Sequence, residues 1–597
     1  MQPSIHQIKV TDWLQNDADC SDAVVNSVAG SGKSTLLKLA AQTISSTNTN
    51  IQDCLVLVFN RKNKDALVKK LDRKWRGSIS TVHSAGYKTL KSYLSARKFT
   101  VDGFKYRNLA KRLDWFDGSN PQQAKVVSLS SFIKLADFVR QTLSDSTTED
   151  LSWLINHYAL DINSKYLSEI GERLNYLFQM GFDQAGNEHV IDHTDMLWLP
   201  VVWRINAQPG ARLLKRLMVD EAQDMSRLQL EFVLTLVHRE GKTLFVGDPA
   251  QSINGFCGAD TESFANIQTR LQAREFTLPI CYRCPISHIQ LINKLYDHIP
   301  IVPRDDAPLG TIEVVREYDL WDKSLNCCIR PGDLVIARCS SSLIDLYLKM
   351  IVRGIPSNLV GSSLKQDLVE VLEDVGAQDG FEYQKFEEFC QSHFQAKTVI
   401  YQKNDNGSIL LLQLQDRIKA IKSLYKHFRD FNFNSIEELA RNIEQLFSSE
   451  DDRAVCLSTV HRAKGMENER VYIADPLTLP LLWENQKPWQ ERQEQNLLYV
   501  ALSRSTNSLF LIGDAFWYDQ KTNSIVDSDR KYESDLTAEG GHRQAPPCKG
   551  GEAVTSVGAS SVTEMVKLAS LEELEQYVKI IRSEQGKRIS QRFQRLV

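Results

Sequence analysis

The chain has 597 residues and a mass of 67.9 kDa, a length that predicts several packed domains rather than one. Its 42% hydrophobic and 24% charged residues exclude collagen-like, wholly disordered and coiled-coil proteins, and its formal net charge of −4 means that a nucleic-acid site has to be a local groove. Because the sequence has no run of about 18 uncharged apolar residues and starts without a signal peptide's apolar core, we expect a cytoplasmic, intracellular protein with no membrane segment.

Short apolar runs rich in β-branched residues alternate with helical patterns along the chain, and such runs predict buried parallel strands. They form two groups, one ending near residue 275 and one between about residues 276 and 514. The sequence therefore predicts two α/β domains, each interrupted by a mainly helical insertion. The runs begin at Ala23, Cys54, Arg216, Thr243, Asp333, Ala454, Val471 and Leu509.

The strand groups and the stretches between them define the predicted domains. These are a first α/β domain (1–95 and 201–275) with a helical insertion (96–200), a second α/β domain (276–360 and 454–516) with a shorter insertion (361–453), a linker (517–569) and a C-terminal helical tail (570–597). Residues 540–558 are mostly Gly, Ser, Ala and Pro, which is typical of a flexible linker. A capping-box pattern at Ser570 and Glu573 predicts the start of the tail helix.

The tail helix has an apolar stripe, and its last twelve residues carry four basic side chains and no acidic one. Two interpretations stay open. The stripe folds back onto the protein, or it binds a partner protein while the basic end contacts phosphates.

A glycine-rich segment lies between the first predicted strand and a helical pattern. In this context backbone N–H groups close around phosphate oxygens at the positive end of a helix. Lys33 is expected to reach the terminal phosphates and Ser34 to bind Mg²⁺. The usual pattern has Gly at the position of Ser27, which is a departure. The segment reads Val28, Ala29, Gly30, Ser31, Gly32, Lys33, Ser34 and Thr35.

Two carboxylates follow another predicted strand, in the sequence Asp220-Glu221-Ala222-Gln223-Asp224. The carboxyl ends of strands are where α/β sheets bind ligands. One carboxylate can hold Mg²⁺ while its neighbour orients an attacking water molecule. Together with the glycine-rich segment, this pair predicts a nucleotide-hydrolysing site.

Six motifs in a fixed order carry a family resemblance: AGSGKS from Ala29, DEAQD from Asp220, GDPAQSI from Gly247, CYR from Cys281, STVHRAKGME from Ser458 and LYVALSR from Leu498. This series resembles the UvrD/Rep-type superfamily 1 DNA helicases from residue 7 to about 514, and its details look most similar to the F-box DNA helicase and other short members. The resemblance implies two RecA-like P-loop domains, ATP with Mg²⁺ in the cleft between them, and 3′ to 5′ movement on single-stranded DNA.

The resemblance also implies roles for individual residues. The cofactor contacts are Gln7 and Tyr282 at the adenine, Ala29, Gly30, Ser31, Gly32, Lys33, Ser34 and Thr35 at the phosphates, Glu467 at the ribose, and Ser34 and Asp220 at Mg²⁺. The catalytic residues are Lys33, Asp220, Glu221, the γ-phosphate sensor Gln251, and two arginines that neutralise charge on the transferred phosphoryl group, Arg283 and Arg504.

A DNA track is implied in the same way, with single-stranded DNA and single/double-strand junctions as partners. Its residues are Phe59, Asn60, Thr81, His83, Phe256, Thr459 and His461. Asn254 and Cys257 stand where the family usually has Tyr and Arg, so one ring and one cation are missing from the track. The second insertion, at 361–453, is also shorter than in long relatives.

Three functions follow from these features. The first is an ATP-dependent DNA helicase, for example in DNA repair. The second is a translocase that strips proteins from DNA and unwinds weakly, which the short insertion and the thinner track favour. The third is a nucleotide-gated subunit of a larger DNA-processing or defence complex, tethered by the tail.

The 11 cysteines are scattered, and the only C-x-x-C is Cys281 to Cys284. A zinc site needs a second pair of Cys or His ligands at a suitable spacing, which the sequence does not offer. We therefore expect neither zinc nor structural disulfides in an intracellular protein.

Overall fold

The structure is a computed structural model that describes residues 2–513 with internal gaps. The gaps are 17–18, 20, 48, 97, 117–126, 159, 161, 209–210, 254–262, 297–298, 300, 403–406, 430–434, 448–452 and 484–485, together with the side chains of 362 and 363. Phe256, Asn254, Cys257, and the predicted linker and tail therefore lie outside the described residues.

Up to residue 278, helices and strands alternate as the apolar patterns predict. The elements are α1 (Ile5–Gln15), β1 (Ala23–Ser27), α2 (Lys33–Ser45), β2 (Cys54–Val58), α3 (Arg61–Lys70), β3 (Ile79–Thr81), α4 (Val82–Tyr93), β4 (Thr100–Val101), α5 (Lys105–Ala110), α6 (Leu129–Thr142), α7 (Thr148–His157), α8 (Leu167–Asp183), β5 (Val190–Ile191), α9 (Asp195–Val202), β6 (Leu214–Asp220), α10 (Arg227–Thr235), β7 (Val237–Gly247), α11 (Ser263–Leu271) and β8 (Arg274–Leu278). Asn60 and Thr81 cap α3 and α4 with their side chains, and this fixes the turns that follow β2 and β3.

The first large sheet has six strands in the order β3-β2-β6-β7-β1-β8, and each neighbouring pair is parallel. Within it β6, β7 and β1 lie side by side, with Asp220 opposite Val246 and Asn26 opposite Gly247. The carboxyl ends of these three strands therefore meet at one edge of the sheet. The domain boundary predicted at 275/276 falls inside β8, which pairs with β1, so the sheet extends to Leu278.

The predicted first insertion consists of α5 to α9 and a short parallel pair, β4 with β5. Its core is continuous with that of the first sheet, because Phe132 and Leu174 of the insertion belong to the same apolar cluster as Val24 and Leu57 of the sheet. Burial of such side chains contributes about 1.5–3 kcal/mol each. The insertion is thereby fixed to the sheet.

Buried charges inside this insertion are paired with one another. Lys105 Nζ lies 2.6 Å from an Asp195 carboxylate oxygen, and Arg140 lies 3.2 Å from Asp195 and 2.8 Å from Asp192. Tyr106 donates its hydroxyl to Asp195 at 2.9 Å. Removing one partner of such a buried pair typically costs about 3–5 kcal/mol, because the other charge stays buried alone.

The second part of the chain repeats the alternation of helices and strands. Its elements are β9 (Ile280–Cys281), α12 (Ile286–Leu295), β10 (Val302–Pro303), β11 (Thr311–Val315), β12 (Leu334–Ala337), α13 (Ser340–Val352), β13 (Ser357–Val360), α14 (Ser362–Gly376), α15 (Phe386–Tyr401), α16 (Gly407–Arg429), α17 (Ile436–Leu446), β14 (Val455–Thr459), α18 (Val460–Ala463), β15 (Asn468–Ala474), α19 (Pro488–Leu502) and β16 (Ser505–Ile512).

The second large sheet also has six strands, in the order β11-β16-β15-β12-β14-β13, again with parallel pairs throughout. Helices α14 to α17 make up the predicted second insertion, and their core continues into this sheet, with Leu368 and Ile418 in one cluster with Val335. Strands β9 and β10, which lie between β8 and β11 in sequence, form a separate parallel pair. The predicted α/β fold with two parallel sheets and two helical insertions is confirmed.

Contacts also join the two halves. Val28 and Ala29, which follow β1, belong to one apolar cluster with Tyr499 of α19. The ring of His157 on α7 is stacked on Trp489 of α19, with ring centroids 4.6 Å apart. Among the helices that the structure describes, none is long and apolar enough to cross a membrane.

Candidate active site

The phosphate-loop candidate follows β1 in two left-handed turns. Gly30 has φ +67° and Gly32 has φ +83°, conformations that favour glycine, and α2 begins directly at Lys33. A β-carbon on Gly30 would lie 2.6 Å from the β-carbon of Arg283, so this glycine also permits a close approach of the next segment. The hydroxyl of Ser31 is buried and has no hydrogen-bond partner among the described residues. The loop thus presents backbone N–H groups and an unpaired hydroxyl at a helix N-terminus, which suits an anion.

Charged groups from neighbouring strands converge on Lys33. Its ammonium lies 3.3 Å from Glu221. Burial would lower the pKa of Lys33, but the carboxylates of Glu221, Asp248 and Asp220 outweigh it and hold that pKa above its ordinary value. Lys33 is therefore fully protonated near neutral pH.

The adjacent carboxylates Asp220 and Glu221 differ in their proton affinity. Burial, followed by the charge of Glu221, raises the pKa of Asp220 to about 7. Burial would also raise the pKa of Glu221, but Lys33 and Lys464 lower it to about 2. Two carboxyl groups whose environments separate their pKa values in this way can take different roles in one reaction.

Glu221 is held in a strained backbone conformation, with φ +55° on a non-glycine residue. Its N–H donates to the Asp220 carboxylate at 3.1 Å, and Gln223 Nε2 donates to its side chain at 2.7 Å. Such conformations cost about 1–3 kcal/mol and persist where the surroundings over-determine them. In this backbone conformation the Glu221 carboxylate lies next to the Lys33 ammonium.

Asp248, at the end of β7, connects the loop to the second half of the molecule. Its carboxylate accepts Gln251 Nε2 at 2.6 Å and the Tyr499 hydroxyl at 3.2 Å. The same hydroxyl accepts the backbone N–H of Ala29 at 2.8 Å. A buried hydrogen-bonded chain therefore runs from the phosphate loop through Tyr499 to the Asp248–Gln251 pair.

Arg504 lines the same cleft from the second half of the molecule. It is 1% exposed, and its guanidinium donates to two carbonyl oxygens, of Val500 and Met466, and to the Ser503 hydroxyl. Burial, and then the neighbouring charge of Arg283, lower the pKa of Arg504 to about 10. Within the described part of the chain Arg504 forms no ion pair, so a buried positive charge lacks a counter-ion.

Arg283 and Tyr282 follow β9 and lie against the loop. The N–H of Tyr282 donates to the Gly30 carbonyl at 2.9 Å. Arg283 Nε donates to Glu467 at 2.6 Å, and its terminal nitrogen is 3.5 Å from the Ser503 carbonyl. Glu467 is therefore paired with an arginine in this state.

Lys464, between α18 and β15, reaches across to the first sheet. Its ammonium donates to the Asp224 carboxylate and to the Gln251 carbonyl. Asn496 of α19 makes a similar crossing and donates to the carbonyls of Pro249 and Ser252. The segment that contains Gln251 is thus held from the second half of the molecule at several points.

One cleft of about 740 Å³ brings most of these groups together. The predicted nucleotide and catalytic residues that line it are Gly30, Ser31, Gly32, Lys33, Ser34, Thr35, Asp220, Glu221, Gln251, Tyr282, Arg283, Glu467 and Arg504. Gln7 and Ala29 stand beside the loop instead. Gln7 is buried on α1 with its amide nitrogen 3.6 Å from where a β-carbon on Gly32 would be, and the Ala29 N–H is taken by Tyr499.

The predicted DNA residues divide into two groups. Phe59, Asn60 and His461 line the same cleft. Burial and two nearby arginines lower the pKa of His461 to about 3, so its imidazole is neutral. Thr81 and His83 lie at the start of α4, where Thr81 serves as the cap, and Thr459 ends β14.

Sequence reasoning missed several groups that the structure places at the site: Asp248, Tyr499, Lys464 and Asp224. Each lies inside one of the six motifs, so the motifs contained the signal. Their contacts join residues up to 470 positions apart in sequence, as between Ala29 and Tyr499. Spacing along the chain does not indicate such pairs.

Comparison with known families agrees with this arrangement. The UvrD/REP helicase N-terminal domain family matches residues 14–272, and the UvrD-like helicase C-terminal domain family matches residues 454–512. The first match spans the phosphate loop and the carboxylates at Asp220 and Glu221, and the second contains Arg504. Together the two matches cover more than half of the chain.

Proposed function

Since the chain belongs to the UvrD/Rep-type superfamily 1 DNA helicases, DNA-dependent ATPases, we propose that it hydrolyses ATP in the cleft described above and moves 3′ to 5′ on single-stranded DNA. The observation that carries the proposal is Arg504. A buried guanidinium that has no carboxylate partner among the described residues lines the same cleft as a loop whose N–H groups favour an anion. A triphosphate bound by the loop would bring negative charge to this guanidinium.

The oxygen ligands present also fit Mg²⁺. The hydroxyl of Ser34, at the start of α2, and the Asp220 carboxylate both face the cleft, and Mg²⁺ prefers such hard oxygen donors. We assign these two residues to the metal, which would neutralise charge on the β- and γ-phosphates when bound.

Each remaining residue then has a role that its surroundings support. Glu221, whose low pKa keeps it ionised, orients the attacking water and accepts its proton. Lys33 exchanges its contact with Glu221 for the terminal phosphates. Arg504 and Arg283 neutralise charge that develops on the transferred phosphoryl group, and Gln251, held by Asp248 and Lys464, senses the γ-phosphate.

The crossing contacts provide the coupling to movement. Tyr499 and Lys464 belong to the second half but bind groups next to the phosphates on the first, so a change at the γ-phosphate alters how the halves meet. We assign the DNA track to Phe59, Asn60, Thr81, His83, Thr459 and His461, with Phe256 as a further stacking residue outside the described residues. When the two halves bind the DNA in turn during the nucleotide cycle, the protein advances in steps along one DNA strand.

The test is strand displacement on matched DNA substrates. Duplexes with a 3′ single-stranded tail should be opened in the presence of ATP and Mg²⁺, and duplexes with only a 5′ tail should not. Lys33→Ala is the control, and it should remove both turnover and opening. Equal opening of both substrates by the unaltered protein would contradict the direction, whereas absence of DNA-stimulated ATP turnover would contradict the site.

A further inference from the structure

Cys281 and Cys284 form a thiol pair beside the proposed ATP site. Cys281 ends β9, and Cys284 lies two residues before α12. The backbone N–H of Cys284 donates to Cys281 Sγ at 3.3 Å, a contact that brings the two residues together. This C-x-x-C spacing is the one that redox-active dithiols use.

The two thiols are chemically unequal. The Cys284 side chain, helped by the Cys284 N–H, favours the Cys281 thiolate, outweighs burial and lowers the pKa of Cys281 to about 7. The pKa of Cys284 is raised well above its ordinary value by its contact with Cys281 and by burial. Thiol–disulfide chemistry uses such a difference between a nucleophilic and a resolving thiol.

The pair encloses two residues of the proposed site, Tyr282 and Arg283. On one side Cys281 Sγ packs against the phosphate loop, where a β-carbon on Gly30 would lie 3.1 Å from the sulfur. On the other side Cys284 Sγ donates to the Ser503 carbonyl at 3.6 Å. Any change in the bonding of these sulfurs therefore acts on the phosphate loop and on the segment that carries Arg504.

Among the residues that the structure describes, no group of three or more His, Cys, Asp or Glu side chains could hold a metal ion. The neighbours of the sulfurs are instead a thiol, backbone amides and a carbonyl.

We propose that Cys281 and Cys284 form a reversible disulfide when the protein meets a peroxide, and that the disulfide form turns over ATP slowly. The Cys281 thiolate attacks one oxygen of hydrogen peroxide, the O–O bond breaks, and the leaving hydroxide takes up the proton that the thiol released on ionising, so the products are Cys281 sulfenic acid and water. The Cys284 thiol then attacks the sulfenic sulfur, the S–O bond breaks, and a second water leaves. Two thiols lose two electrons and two protons, and one peroxide becomes two waters.

The disulfide changes the site through geometry. A disulfide holds its sulfurs about 2.05 Å apart, closer than any hydrogen-bonded contact. Cys284 also loses the S–H that it donates to Ser503. Tyr282 and Arg283 become part of a small ring, so Arg283 can no longer adjust to the phosphates. The thiol chemistry is independent of the proposed function, but the effect on turnover rests on the proposed role of Arg283.

The experiment treats the full chain with hydrogen peroxide and follows two readouts. Peptide mapping by mass spectrometry should find Cys281 and Cys284 joined with loss of two hydrogen atoms, and DNA-stimulated ATP turnover should fall by about tenfold or more, since an arginine of this kind is worth up to ~10³-fold. Dithiothreitol should restore both. The double variant Cys281→Ser with Cys284→Ser should keep its turnover in peroxide.

A matched control uses the other close pair of buried cysteines, Cys327 and Cys328. The variant Cys327→Ser with Cys328→Ser should lose turnover in peroxide as the unaltered protein does. The proposal is overturned if peptide mapping of the treated protein finds both thiols free, or if the Cys281/Cys284 double variant is inhibited equally. If untreated protein has no ATPase activity, the proposed function fails, while the mapping result still decides whether the disulfide forms.

Discussion

The two sides of the cleft balance their charges in different ways. On the side of the first sheet, Lys33 is paired with Glu221, and Asp248 accepts hydrogen bonds from Gln251 and Tyr499. On the side of the second sheet, Arg504 is buried among carbonyls and next to the positive charge of Arg283. Among the described residues, the charge of Lys33 on the first side is paired without a ligand, whereas the charge of Arg504 on the second side is not.

This difference indicates which groups respond to ground-state binding and which respond to charge that develops during reaction. The charged groups of the first side have to give up existing partners when a nucleotide binds. Their net contribution to the binding free energy is therefore a difference between two favourable sets of contacts. The second side gains a counter-ion that it lacks, so negative charge near Arg504 is stabilised more strongly as it grows. We therefore expect substitutions on the two sides to affect different kinetic constants.

The largest effect is expected for Arg504→Ala. The kcat for ATP should fall by about 10³-fold with little change in nucleotide affinity, because an arginine of this kind acts on the transition state. Arg504→Lys is the matched variant, since it keeps the charge but not the planar guanidinium. Steady-state kinetics and nucleotide titration measure the two quantities. If Arg504→Ala bound ATP poorly but turned over normally at saturating ATP, Arg504 would act on ground-state binding, which would contradict the difference between the two sides.

Glu221→Gln should lower kcat by roughly 10²-fold or more while ATP and DNA binding persist, because the amide cannot accept the proton of the attacking water. Single-turnover hydrolysis measures this step directly. The exposed Glu169 on α8 provides a control, and Glu169→Gln should leave the rate unchanged. Normal turnover in Glu221→Gln would exclude it as the base.

Tyr499→Phe tests the hydrogen-bonded chain that joins the two sides. Loss of the hydroxyl leaves the Ala29 N–H and one Asp248 contact unmatched, at a cost of about 1–3 kcal/mol in stability, and it should lower kcat by about tenfold. Tyr296 is a matched control, since it packs edge-on against Tyr499 but donates to the Gln495 carbonyl. Tyr296→Phe should lose stability without loss of kcat, and equal kinetic losses in both variants would argue for packing alone.

The smallest expected effect is on the free energy of unfolding at acid pH. It comes from a comparison of two regions outside the cleft, the first insertion and α12. The buried charges of the first insertion are paired, whereas His288 on α12, next to the second sheet, has one ring nitrogen without a partner among the described residues. Burial lowers the pKa of His288 to about 4. The unfolded chain, with an ordinary pKa near 6.5, therefore binds a proton that the folded chain refuses, and stability falls as the pH drops below about 6.5.

Between pH 7 and pH 5 this single residue should cost about 2 kcal/mol of stability. Thermal unfolding of the full chain at both pH values measures it. The variant His288→Leu should be less sensitive to acid than the unaltered protein, and His238→Gln, at an exposed position on β7, serves as control. An unchanged pH response in His288→Leu would show that the residue is not the source.

The strands that the sequence predicted and those it missed have different places in the sheets. The eight predicted runs correspond to β1, β2, β6, β7, β12, β14, β15 and β16, all of them in the two large sheets. The strands without a predicted run in those sheets are β3, β8, β11 and β13, which are the four edges. Edge strands are covered less completely, so they alternate polar and apolar residues, as in the partly exposed strand β8, and have no continuous apolar run.

For the site, the sequence was sufficient for groups that act through a local motif. The glycines around Lys33 follow β1 and the carboxylates Asp220 and Glu221 lie at the end of β6, with β7 between the two strands in one sheet, and their motif context alone predicts a common edge. The sequence was insufficient for Tyr499 and Lys464. Their hydrogen-bond partners lie in the other half of the molecule and depend on how the two halves pack against each other. The pairing of Glu467 with Arg283 is a further case, since both residues were predicted to contact a nucleotide.

The continuous core between the first sheet and its insertion has a mechanical consequence. Because they share one core, we expect the sheet and the insertion to move together as one rigid lever in the proposed cycle. The lever also touches α19 through the stacked rings of His157 and Trp489, at a point on α7 away from the phosphates. We expect a rotation of this lever against the second half in the proposed cycle to shift or separate the stacked rings, so the stack would oppose that movement.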